Sequence, residues 1–200
     1  MPKEFVTISR QYGSGGREVG EHVAELLGYT YYDKALLNRM AQIGDVDVDF
    51  VSVGGEGLMG KVSSLFLHPG SEGRDEDSLP LPDRLFLAQS RTIKEIVKEG
   101  PCVIIGHSAD YFLQESEKAL NVFIYADWEA RIRRVMRRNN LDEHEAVLRI
   151  KKMDRNRSSF YEQYTGRKWG KPENYHMCCS SSFFGIEELA ELIAHIARTT

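Results

Sequence analysis

Two runs, "CVIIG" at 102–106 and "NVFIYA" at 121–126, are apolar at nearly every position rather than at alternate ones. A strand with one wet face alternates, whereas a strand covered on both faces is apolar throughout. Helical patterns surround these runs. Val19, Val23, Leu26 and Leu27 recur at helical spacing after Arg17, and "GIEELAELIAHIAR" closes the chain as an amphipathic helix. Strands of this kind alternating with helices predict an α/β fold, a parallel sheet with helices on both faces. "FVTIS" at 5–9, "YTYY" at 29–32 and "YHMCCSS" at 175–181 read as further strands.

Punctuation supports the same reading. Gly28 stops the first helix. Asp33 is placed to N-cap "KALLNRMAQI", Asp83 to cap the helix that Gly100 and Pro101 end, and Asp127 to cap the very basic "WEARIRRVMRRNN". Asp142 and Glu145 have capping-box spacing and open a long helix over 142–164. Residues 44–82 change character, being rich in Gly, Asp, Glu, Ser and Pro, with room for a helical turn or two at "KVSSLFL". A loop of that length inside one domain is expected to be a mobile functional insertion. The 200 residues fit a single domain.

A formal net charge of -4 exerts no general pull on nucleic acid or on an anionic membrane. An anionic ligand must therefore be held by local positive groups. Cys102, Cys178 and Cys179 lie in strand-like runs and are expected to be reduced thiols, in keeping with a cytoplasmic protein. There is no metal-ligand spacing and no signal-peptide core, and no apolar run approaches the ~20 residues that span a bilayer. The partner these features leave is a small molecule. Nothing in them sets the oligomeric state.

Ligands of open parallel sheets bind at the carboxyl ends of the strands. There the sequence places Ser9 to Arg17, Asp33, Gly106 to Asp110, and Asp127. The first is the most informative. "SRQYGSGGREVG" joins a strand to a helix, and Gly13, Gly15 and Gly16 let backbone N–H groups converge on an anion. The following helix adds its positive end, and Arg10 and Arg17 add full charges. Yet the spacing of a standard phosphate loop is not met, and the loop holds no lysine. The usual Mg²⁺-binding hydroxyl is also absent, which leaves Ser14 or Glu18 for that role. A plain glycine turn remains the alternative.

Together with "YYDKALL", "CVIIGHSADYFL", "NVFIYADWEARIRRVMRR", "MDRNR" and "YTGRKWGKPENYHMCCSSS", this loop resembles the cytidylate-kinase-like family of P-loop proteins. The resemblance spans nearly the whole chain and is weakest over 44–82. It implies a three-layer P-loop kinase fold with a five-stranded parallel sheet, a monophosphate-binding insertion and a lid, here about 142–172. It implies transfer of the ATP γ-phosphoryl to CMP or dCMP with Mg²⁺. Asp154 and Arg157 fall where the family engages the acceptor nucleotide; as residues three apart on one helical face they could equally form a surface ion pair. Lys151, Arg155 and Arg157 would close over the transferring group beside Arg17. Arg134 or Arg138 would reach the adenine or the phosphates of ATP, with the rest of the 131–138 arginines a solvated face. Where the family has Gly-Arg-Asp, this chain has Gly106, His107 and Ser108, so an uncharged imidazole stands in for an arginine. Asp33 is an acceptor-side residue or only a cap, and Asp110 serves a cation or caps the next helix. "FYEQYTGRKWG" stacks a base or merely packs. Three readings follow: a cytidylate kinase, a nucleotide-binding protein without kinase activity, or a kinase for another small acceptor.

Overall fold

The continuous apolar runs lie at the centre of the sheet, as their lack of alternation requires. The computed structural model describes residues 2–33 and 79–200. Its strands are β1 (Phe5–Arg10), β2 (Thr30–Tyr32), β3 (Cys102–Ile105), β4 (Ala119–Tyr125) and β5 (Met177–Ser180), all parallel in the order β2-β3-β1-β4-β5. The predicted "NVFIYA" strand begins two residues early, at Ala119, because Phe5 to Arg10 pair with Ala119 to Ile124 along the whole of β1.

Helices α1 (Gly16–Leu27) and α7 (Ile186–Thr199) cover one face. Val19 and Val23 of α1 and Leu189 and Ile193 of α7 are buried there with Val6, Ile8, Val103, Ile105, Val122 and Ile124. The other face meets α2 (Leu81–Glu99) through Ile93 and Ile96, with Ala109 of the short α3 (Ala109–Phe112). Each such aliphatic side chain removed from water contributes about 1.5–3 kcal/mol. Helices α4 (Trp128–Asn139) and α5 (Glu143–Thr165) pack against each other at the carboxyl end of the sheet, around the ring of Tyr12. The single turn α6 (Ser181–Phe184) links β5 to α7.

Two of the expected caps differ. Asp83 is not the cap of α2, because Pro80 and Pro82 already set the turn into that helix and move its start to Leu81. Asp83 instead accepts a hydrogen bond from the Tyr164 hydroxyl at 2.6 Å. Asp127 occupies the N-cap position of α4, but its side chain makes no cap bond. The helix expected after Asp33, and residues 44–78 of the expected insertion, lie outside the described residues; 81–82 belong to α2. Cys102 and Cys179 are buried and Cys178 half-buried; all three are free, and burial pushes the Cys102 thiol up to about 12. Among the described residues no helix is long and apolar enough to cross a membrane.

The capping box is formed in full: Asp142 Oδ1 accepts from the Glu145 N–H at 2.8 Å, and Glu145 Oε2 accepts from the Asp142 N–H at 3.1 Å. Asp142→Ala should therefore cost about 1 kcal/mol and lower the melting temperature by about 2–4 °C. A thermal melt checks this, with Asp142→Ser expected to retain most of the stability.

Candidate functional site

In the strand order β2-β3-β1-β4-β5, the chain turns to one side of β1 for β2 and β3 and to the other for β4 and β5. A crevice opens at such a reversal, and the loop after β1 lies in it. Gly13 and Gly15 have φ of 80° and 79°, a left-handed conformation that costs other residues about 1–2 kcal/mol each. The loop is tied down on both sides. Gln11 donates its N–H to the Ile124 carbonyl at 3.0 Å, and its side-chain oxygen accepts from the Ala126 N–H at 3.2 Å. Tyr12 donates its N–H to Asp154 Oδ1 at 2.7 Å, and its carbonyl accepts from Arg131 Nε at 2.8 Å. Arg131 and Asp154 are themselves ion-paired.

A pocket opens above this loop. It is lined by Arg10, Gly13, Gly15, Gly16, Arg17 and Glu18, with Arg134 and Arg138 from α4 and Arg157 from α5. These are nine of the residues that the sequence marks out, brought together from the loop and from four elements, β1, α1, α4 and α5. Arg134 donates to the Gly13 carbonyl at 2.9 Å, and Arg157 to the Arg10 carbonyl at 2.9 Å. Arg157 also lies over the Tyr12 ring at 5.5 Å. Arg17 is paired: its Nε is 2.6 Å from Asp33 Oδ2 at the end of β2. Asp33 thus stands beside the pocket, paired with one of the residues that line it.

Other expected site residues are placed differently. Ser14 is fully buried, donates its hydroxyl to the Gln11 carbonyl at 2.9 Å, and is not among the residues that line the pocket. That leaves Glu18 as the carboxylate lining the pocket, and no cluster of three His, Cys, Asp or Glu exists among the described residues. Lys151 and Arg155 are exposed and do not line the pocket, because α5 turns its Ile150 and Met153 face inward. Asp154 shares a face with Arg157 as expected, but both its oxygens are engaged by Tyr12 and Arg131 rather than open to a ligand. Asp110 is buried beneath the sheet ends, accepting from Ser9 at 2.9 Å and from the Tyr161 hydroxyl at 2.7 Å. Burial raises its pKa, partly offset by those two bonds. Both its carboxylate oxygens are thus engaged within the protein, and the cap position of α3 is taken by Ser108.

The aromatic "FYEQYTGRKWG" segment packs. Tyr164 stacks on Phe86 with centroids 4.8 Å apart, and Trp169 meets Phe123 edge-on at 5.3 Å. Arg131, assigned by the sequence to a solvated face, is the arginine of α4 that is buried, 5% exposed. The signal was present: Arg131 stands four residues before Val135 and so shares its inward face. Arg133 and Arg137 are solvated as expected, and Arg138 reaches the pocket from the exposed side.

After β3 the backbone turns through three left-handed residues, Gly106, His107 and Ser108, with φ of 74°, 57° and 55°. Such conformations away from glycine store strain and collect at functional sites. Burial lowers the His107 pKa from 6.5 to about 4, helped by Arg10 and Arg157 and opposed by Asp33. His107 is therefore an uncharged imidazole at neutral pH. A group whose folded pKa is depressed contributes stability above its unfolded pKa and loses it on acidification. Stability should fall as pH drops from 6.5 toward 4. His107→Asn, whose side chain tolerates the left-handed backbone, should flatten that part of a pH–denaturation profile.

The chain matches the cytidylate kinase-like family over residues 5–183. No curated protein matches it. Among solved structures it is similar to an uncharacterized protein from Eubacterium ventriosum ATCC 27560, with 25% identity over 96% of this chain and 97% of that one and a TM-score of 0.72. It is similar in fold to a shikimate kinase from Acinetobacter baumannii, at 15% identity over 98% and 92% with a TM-score of 0.54. A gluconokinase from Sinorhizobium meliloti 1021 aligns at 14% identity over 98% and 94% with a TM-score of 0.51. The fold is that of P-loop kinases, and with most of its length matched, the chain belongs to the cytidylate kinase-like family.

Proposed function

We propose that the protein is a phosphotransferase that moves the γ-phosphoryl group of ATP to CMP or dCMP. The observation that carries this reading is the convergence of Arg10, Arg17, Arg134, Arg138 and Arg157 on a glycine loop at a helix N-terminus. In an acidic chain, such a concentration of guanidinium groups has a polyphosphate as its natural counterpart. The N–H groups from Gly13 to Gly16 would cradle the donor phosphates, with Arg134 and Arg138 beside them from α4. Arg17 and Arg157 would neutralise charge on the transferring side. Asp33 and His107 would border the acceptor.

Glu18, the carboxylate that lines the pocket, would hold Mg²⁺. Mg²⁺ held there would supply charge neutralisation for phosphoryl transfer. A phosphate acceptor is already a nucleophile, so the site needs no general base. Its work is positioning and charge neutralisation.

The uncharged His107 favours a second reading. The family arginine would hold an acceptor phosphate with a permanent charge, and an imidazole does so less well. Another small-molecule acceptor, less anionic than a nucleoside monophosphate, would suit this residue. Incubation with MgATP and CMP, dCMP, UMP or AMP in turn, followed by ³¹P NMR, separates the readings. CDP or dCDP supports the first. No diphosphate with any acceptor, but perturbed ATP signals, points to the second or to a protein that only binds nucleotide. Arg17→Ala should lower turnover by about 10²-fold, as it removes a cation from the pocket and leaves the Asp33 carboxylate unpaired. Steady-state kinetics with the preferred acceptor measures this, and wild-type turnover would remove Arg17 from the mechanism.

A further inference from the structure

The loop has no lysine, and Arg17, the arginine nearest that position in sequence, is held by Asp33. The structure nevertheless sets a cation deep at the junction of the loop and the sheet. Arg10 ends β1 on the side of the sheet shared with Val6 and Ile8. Its stem runs past Gly16: a Cβ there would lie 2.7 Å from the Arg10 Cβ and 3.1 Å from its Cγ. Its head lies against Gly106 at the end of β3, where a Cβ would fall 2.0 Å from Nη1 and 3.1 Å from Cζ. The guanidinium thus occupies the space of a side chain that residue 106 lacks. It reaches from the first turn of α1 to the strand end that carries His107.

The charges around it do not balance. Arg17 and Arg157 are its cationic neighbours and Asp33 the carboxylate among them, and Asp33 is already 2.6 Å from Arg17. Burial first, then Arg157, lowers the Arg10 pKa to about 9. A guanidinium serving only the fold would be expected to face carboxylates or carbonyls. This one is packed against Gly16 and Gly106, has Arg17 and Arg157 as cationic neighbours, and lines the pocket, where an anion would offset those charges.

We propose that Arg10 is the catalytic cation that meets the γ-phosphoryl group of ATP in place of the missing loop lysine, and that Gly106, already favoured as glycine by its φ of 74°, also makes room for it. This rests on the ATP phosphotransferase reading. In the transfer, the bond from the γ-phosphorus to the bridging oxygen breaks with its electron pair left on ADP. A new bond forms from that phosphorus to an acceptor phosphate oxygen. Arg10 keeps its proton throughout and compensates negative charge on the moving group.

The test compares ATP and ADP binding by calorimetry, and single-turnover transfer, in the wild type, Arg10→Met, Arg10→Lys and Gly106→Ala. Circular dichroism confirms that each variant is folded. The wild type should bind ATP more tightly than ADP. Arg10→Met should weaken ATP about tenfold or more, the size of one lost charge-assisted hydrogen bond, and leave ADP nearly unchanged. Gly106→Ala removes no charge; it strains the left-handed backbone and displaces the Arg10 head, so it should give the same selective loss for ATP over ADP. Arg10→Lys should recover part of the transfer rate. Equal weakening of ATP and ADP, a defect confined to the acceptor KM, or a Gly106→Ala variant that behaves as wild type would overturn the proposal and leave the ATP reading standing. A wild type that binds neither nucleotide would overturn both.

Discussion

Both backbone polar groups of Tyr12 are taken by one ion pair, and the geometry of the site depends on it. Asp154 accepts the Tyr12 N–H, Arg131 donates to the Tyr12 carbonyl, and the two side chains bond each other. The arrangement joins the loop, α4 and α5 at one residue. Removing charges from water is costly, and a buried ion pair compensates that cost only when its remaining donors and acceptors are also satisfied. Here the loop backbone contributes one donor and one acceptor, both from Tyr12. Below, the Tyr12 ring sits among Ile132, Val135, Ile150 and Met153; above, Arg149 donates to its hydroxyl at 3.1 Å. The loop is shaped by these contacts, and the helices that bring Arg134, Arg138 and Arg157 to the pocket take their placement from the same point.

Helix α5 is anchored a second time, toward its far end. Tyr161 donates to the buried Asp110, which also accepts from Ser9, the residue before Arg10. One turn on, Tyr164 bonds Asp83 of α2 and stacks on Phe86. Thr7 and Asn121 add a buried hydrogen bond of 2.7 Å on the same side of the sheet. This face is therefore rich in polar side chains near the carboxyl ends of the strands, and apolar at their beginnings, where Phe5, Ile93 and Ile96 lie. Directional hydrogen bonds of this kind specify an arrangement more strictly than apolar packing does. They hold the helix that carries Arg157 at a fixed distance from β1.

The charge distribution follows a related logic. The chain is acidic as a whole, yet the pocket is lined by five arginines and one carboxylate, Glu18. The carboxylates nearby are already engaged, Asp33 with Arg17 and Asp154 with Arg131. They hold the loop and its rim in place while leaving positive charge facing the open space. Backbone N–H groups at the start of α1 add to that field without adding titratable groups. An anion entering the pocket meets donors that need little reorganisation.

The sequence by itself determined the layers. Unbroken apolar runs cannot be half-exposed strands, so a parallel sheet covered on both faces was legible from "CVIIG" and "NVFIYA". The Asp142–Glu145 box and the glycine turn after the first strand were legible for the same reason: each is decided by neighbours within a few residues. The partner of a long charged side chain is not. A guanidinium reaches several ångströms, and whether Arg131 meets water or Tyr12, or Asp154 meets a ligand or the loop, depends on how helices distant in sequence are packed. Helical periodicity placed Asp154 and Arg157 on one face but could not say what that face would touch. The tertiary structure alone decided that Arg17 pairs with Asp33, that Ser14 turns inward, that the aromatic segment packs, and that Arg10 lies in the space which Gly106 leaves open.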